Sequence, residues 1–173
     1  MNLAKLALLT LVLALVASKA LGQAEDKEPA AIVEIGGAGE WALSHSGAGA
    51  PGYGPNLAVE VTPIKEWLEL EGGVTPLFRR GSTEWDTDLL FKKPWTLSKT
   101  AEFMAGVGPE WAHTIQHGAH RDSIAGEAAL DFMFWPWPKR RFGWYLEPSY
   151  GYGFDAAHEQ SVSVSVGLLI PIR

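Results

Sequence analysis

The chain has 173 residues, no cysteine, and 14 basic against 20 acidic residues, for a formal net charge of −6. That length fits one domain. The acidic balance excludes the clustered Lys and Arg that nucleic acid requires as a partner, and the missing cysteine excludes a disulfide framework, a thiolate metal site and a cysteine nucleophile.

Residues 1–24 read as a secretory signal peptide: Lys5 is the positive start, Leu6 to Val16 is apolar apart from Thr10, and small residues follow in ASKALGQA. The apolar run is too short to span a membrane as a helix, and no later segment is long enough to do so. Residues 25–173 form the domain. Without Lys5 and Lys19 it keeps 12 of the 14 basic residues against all 20 acidic ones, a net charge of −8.

From Ala31 onward the chain alternates apolar and polar residues with a period of two, the pattern of strands with two unlike faces. The spacing predicts strands over Ala31–Ser44, Asn56–Thr62, Glu66–Phe78 and Thr83–Phe91, then Ala101–His113, Ser123–Phe134, Phe142–Phe154 and Ser161–Leu169. In the third, Leu68, Leu70 and Val74 oppose Glu69 and Glu71. In the eighth, Val162, Val164, Val166 and Leu168 oppose Ser161, Ser163, Ser165 and Gly167. So regular a sheet predicts an all-β fold, a single up-and-down antiparallel barrel of about eight strands that leaves no open edge. Pro76, Pro109 and Pro148 lie inside these strands and predict bulges or strand ends there.

A soluble, lipocalin-like ligand barrel would turn the apolar set inward, whereas a membrane barrel turns it outward to lipid. Three features favour lipid. The acids share their face with small residues such as Gly36, Ala58, Gly73, Gly106, Ala129 and Gly151, which suit a narrow lumen rather than a solvated surface. Aromatics gather in two belts, with Trp67, Trp95, Trp135, Trp137 and Phe142 at one end and Phe78, Trp85, Trp111, Tyr152 and Phe154 at the other. The connections TPIKE and WPWPKRR read as tight turns, while HSGAGAPGYGP and TIQHGAHRD read as longer loops, in alternation.

On these grounds of pattern and size, the mature chain resembles the small eight-stranded outer-membrane β-barrel proteins of Gram-negative bacteria. The resemblance implies a monomer in contact with outer-membrane lipid, with loops that meet an extracellular ligand and no enzymatic activity. Members usually finish on an aromatic residue read by the insertion machinery; this chain finishes LLIPIR. A small cation-selective pore and the soluble periplasmic carrier are the alternatives.

If lipid lies outside, Leu68, Leu70 and Val74 face it and the acids face the lumen. Glu69, Glu71, Glu84, Asp86, Asp88, Glu102 and Glu110 then form an acidic lumen cluster with Arg141, joined by Glu34, Glu40, Glu60, Glu127, Asp131 and Glu147. Lys92 is the other base that parity places inside, and Arg79, Arg80 and Arg121 stand at one rim. Like charges so crowded require protons, hydrogen-bond donors or cations, so a divalent cation on hard oxygen ligands is the one cofactor these residues suggest. A plugged, non-conducting lumen is the expected outcome, since eight strands enclose little more than their own side chains.

The five histidines, His45, His113, His117, His120 and His158, all fall at the outer end. His45, His117, His120 and His158 are candidate metal ligands, although exposed loop histidines need no such role. Lipid A-modifying enzymes use His and Ser on barrels of this size. Here Ser44, His45 and Ser46 are consecutive, so a Ser–His pair would require a loop bend, and no catalytic residue is assigned.

Overall fold

The structure is a computed structural model that describes residues 29–43, 50–137, 140–156 and 158–172. The predicted signal peptide, Ser44 and His45 lie outside them. Eight strands follow in order: β1 Ala31–Ala42, β2 Gly52–Ile64, β3 Leu68–Arg79, β4 Ser82–Ser98, β5 Ala101–Gln116, β6 Ala119–Phe134, β7 Gly143–Gly153 and β8 Gln160–Ile172. Each pairs antiparallel with the next, and β8 returns to β1 from Ala31↔Ile172 to Ala42↔Ser161, closing the barrel. Closure satisfies the backbone groups that an edge would expose. Ala31 and Ile172 mark the lower end; the connection from β1 to β2 marks the upper.

Strand parity sorts the side chains as the alternation predicts. Glu34, Glu60, Glu71, Lys92, Asp131 and Glu147 are buried in the lumen, while large apolar side chains stand on the outer wall, among them Val107 at 63% exposure and Leu168 at 53%. The lower outer wall carries a run of ring contacts from Trp95 to Phe103 at 5.5 Å and from Phe103 to Phe132 at 5.1 Å, and Phe134 stacks on Trp144 at 4.1 Å.

Several local expectations are corrected. The prolines make neither bulges nor strand ends: Pro76↔Trp85, Pro109↔Gly126 and Pro148↔Val164 sit in unbroken registers with one neighbouring strand. On the other neighbour the pairing skips the proline and resumes in the same register, because a missing N–H removes hydrogen bonding on one side only. The bulges fall instead between Val61 and Ile64 and between Thr96 and Ser98. Strand β4 runs past Phe91 and through Pro94, which pairs with Met104, because β5 offers a partner along that whole length.

Connection lengths also differ from the reading of the sequence. TIQHGAHRD is a two-residue turn, with His117 at φ 49° and Gly118 at φ 82°, both in the left-handed region that tight hairpins of this twist demand. Gln116↔Ala119 closes the ladder directly beneath it. WPWPKRR belongs to the longer lower connection between Phe134 and Gly143. Trp135 does not join the lower belt: its ring turns inward and is 1% exposed, packed with Ile32, Met104, Met133, Tyr145 and Leu169 as an apolar floor to the lumen.

Candidate functional site

The lumen is built in three tiers. The apolar floor comes first, and Arg140 closes it from below, with its guanidinium carbon 5.5 Å from the centre of the Trp135 ring and Nη1 donating to Glu102 Oε2 at 2.7 Å.

At mid-height Lys92 reaches in from β4, itself 1% exposed. Its ammonium donates to Glu71 Oε2 on β3 at 2.5 Å, to Asp131 Oδ2 on β6 at 3.2 Å, and to Glu147 on β7. One cation thus ties carboxylates from three other strands. Buried charges survive only when paired and hydrogen-bonded, and this tier is not fully balanced. Glu34 Oε1, Asp88 Oδ1, Asp131 Oδ1 and both oxygens of Glu60 are buried without a donor; the Glu60 carboxyl meets that of Glu69. Glu34, Glu60, Glu71 and Asp131 each present an oxygen, all within 4.8 Å of one another. Carboxylate oxygens are the donor type that hard divalent cations take, and in this set Glu71 and Asp131 are already bonded by the Lys92 ammonium.

Tyr145 rises beside this tier from β7 and donates its hydroxyl to Asn56 Oδ1 on β2 at 2.6 Å, while Asn56 Nδ2 donates to Thr75 Oγ1 at 2.9 Å. The ring crosses over β8 and β1 because Gly36 has no side chain there: a Cβ would come within 2.7 Å of the Tyr145 hydroxyl and 2.2 Å of the Val166 carbonyl oxygen.

In the upper tier Arg79 donates to Glu40 and, at 2.8 Å, to Glu84 Oε1; Thr114 Oγ1 donates to Glu84 Oε2 at 2.6 Å. Between the tiers lies a cavity of about 40 Å³ lined by Glu40, Glu71, Asp86, Glu110, Glu127 and Glu147, among others. It has room for about three waters at about 10–15 Å³ each.

The acids singled out from the sequence therefore fall into separate groups. Glu69 and Glu71 join the Lys92 tier, Glu84 joins Arg79, and Asp86, Asp88 and Glu110 line the cavity between them. Glu102 stands apart at the lower rim with Arg140. Arg141 is exposed and outside the lumen, so the basic partner assigned to it is corrected to Lys92, Arg79 and Arg140. Parity fails at Arg141 because residues 135–142 lie between strands. The recruitment of Asp131 and Glu147 to Lys92, and of Asn56 to Tyr145, has no local signal, since those partners meet only when the sheet closes.

Of the candidate metal ligands, His45 lies outside the described residues. His117 sits in the β5–β6 turn and His158 stacks on Tyr152 at 5.8 Å. His120 instead meets His113, with Nδ1 and Nε2 3.4 Å apart, and His113 Nδ1 lies 2.9 Å from Asp122 Oδ1.

No family model matches the sequence, and no curated protein matches it. Solved structures do match. Neisserial surface protein A is 13% identical with a TM-score of 0.69, over 85% of this chain and all of that one. Ail, the attachment invasion locus protein of Yersinia pestis, is 14% identical with a TM-score of 0.55, over 83% of this chain and 98% of that one. The N-terminal β-barrel domain of Pseudomonas aeruginosa OprF is 13% identical with a TM-score of 0.52, over 83% and 100%. The chain has the fold of the small eight-stranded outer-membrane β-barrels. At these identities the likeness is one of fold, and the resemblance read from the sequence holds at that level.

Proposed function

We propose that the protein is a monomeric, non-enzymatic outer-membrane barrel whose lumen is closed to solutes and whose upper loops meet an extracellular ligand. The observation that carries this reading is the inversion of polarity. Apolar side chains such as Leu57, Val107, Leu130, Val166 and Leu168 stand exposed on every side of the wall, while a charged tier fills the inside. Water would penalise that arrangement and lipid would reward it.

Closure of the lumen rests on its contents. The floor of Trp135, Met133, Tyr145 and Leu169 and the Lys92 tier occupy the lumen at two heights, which supports a barrel closed to solutes. The donor-free oxygens, Oε1 of Glu34 and both of Glu60, are balanced by protons or by one divalent cation held against Glu71 and Asp131. The loop-ligand reading gains support from Ail, which has been solved in complex with the heparin analogue sucrose octasulfate.

Cell fractionation tests the location. The protein, expressed with its leader, is expected in the detergent-soluble outer-membrane fraction with heat-dependent mobility on a denaturing gel; recovery from the soluble periplasm would favour the ligand-carrier alternative. In planar bilayers no stable conductance steps are expected, and reproducible cation-selective steps would favour the pore.

A further inference from the structure

The upper end of the β5–β6 hairpin carries a two-nitrogen arrangement that the lumen chemistry does not use. The register pairs His113 with Asp122 and Ile115 with His120, which places His113 and His120 as diagonal neighbours on the outer face of one hairpin. Their rings are tilted at 31° with centroids 5.5 Å apart, and Trp111 stacks on the other side of His113 at 5.8 Å. The turn above them is short and closed by the Gln116↔Ala119 pair, so the two rings stand on paired strands rather than on a loop.

The tautomer follows from the carboxylate. With Asp122 Oδ1 2.9 Å from His113 Nδ1, that nitrogen is the donor, and in the neutral ring Nε2 keeps its lone pair. Nε2 then faces His120 Nδ1 at 3.4 Å, beyond the 2.7–3.2 Å or so of a good hydrogen bond. Two imidazole nitrogens bound at about 2.0–2.1 Å to one tetrahedral metal ion stand about 3.3–3.4 Å apart. A carboxylate behind a metal-binding histidine is the usual device for fixing its ring and raising its basicity.

We propose that His113 Nε2 and His120 Nδ1 chelate a borderline divalent transition-metal ion of the Zn²⁺ class at the cell-surface end of the barrel, with Asp122 as the positioning residue. Two protein ligands leave the remaining positions to water or to an anionic group of an incoming ligand, so the site is an open one. Oxygen-seeking ions such as Ca²⁺ and Mg²⁺ are excluded by the all-nitrogen donor pair.

The test uses the full mature chain refolded in detergent micelles, with ZnCl₂ followed by titration calorimetry and Cu²⁺ followed by electron paramagnetic resonance. One equivalent of Zn²⁺ is expected to bind, weakened at least tenfold by His120→Ala and by His113→Ala. The Cu²⁺ spectrum should report two coupled nitrogens in the parent and one in each variant. Asp122→Asn should weaken binding about 10-fold with one site retained, and Asp122→Glu should recover part of the loss. Heat-dependent gel mobility of each variant verifies that the barrel is folded. Unchanged Zn²⁺ binding in His120→Ala, or an equal loss in His117→Ala or His158→Ala, would overturn the assignment.

Discussion

Lys92 on β4 and Glu147 on β7 lie 55 residues apart in sequence and share a hydrogen bond in the middle of the lumen. Glu71 and Asp131 complete the set, so one ammonium holds carboxylates from β3, β6 and β7. Removing it leaves three buried anions facing one another. Lys92→Met is therefore expected to destabilise the barrel by about 3–5 kcal/mol, measured as the urea midpoint of unfolding in lipid vesicles.

Glu60 should behave in the opposite sense. Neither of its oxygens has a donor, and an unsatisfied buried polar group costs about 1–3 kcal/mol. Glu60→Gln keeps the shape and supplies a donor toward the neighbouring acids. The same unfolding assay is expected to show it as stable as the parent or more so, and a loss as large as that of Lys92→Met would mean that the Glu60 carboxylate is held by a partner.

Divalent cations should act on the same tier. Millimolar Ca²⁺ is expected to raise the melting temperature by binding the folded barrel, in which Glu34, Glu60, Glu71 and Asp131 converge, more tightly than the unfolded chain. Glu60→Gln should reduce that increment. Equal increments in parent and variant would locate the cation elsewhere.

On the outer wall the decisive position is Val166, half exposed and paired with Gly37 at mid-height. Val166→Arg is expected to cost about 2–4 kcal/mol in a bilayer, the usual cost of a guanidinium near the midplane of a barrel wall. In a soluble barrel the same change would be nearly neutral, so stability in vesicles separates the two environments.

The hairpin turn gives a purely conformational test. Gly118 lies at φ 82° and a Cβ built on it meets nothing within 4 Å. Gly118→Ala therefore creates no clash, and its cost of about 1–2 kcal/mol comes from the left-handed backbone alone. A Zn²⁺ titration of this variant also reports how far the His113–His120 spacing depends on the turn.

A period of two makes each strand's faces legible from the chain. Parity along a strand is local, so the outward set of Leu57, Val74, Val107 and Leu168 and the inward set of Glu60, Glu71, Asp88 and Glu147 could be read residue by residue, along with the number of strands and their closure. Parity says which face a side chain takes but not what stands opposite. Barrel closure sets Lys92 rather than Arg141 among the lumen acids, turns Trp135 from the belt to the floor, and brings His113 rather than His117 to His120. Those pairings depend on the stagger between strands far apart in sequence and on turn lengths set by single φ angles. A shift of two residues in register keeps every face and changes every partner, which is why the faces are written in the chain and the partners appear only when the barrel closes.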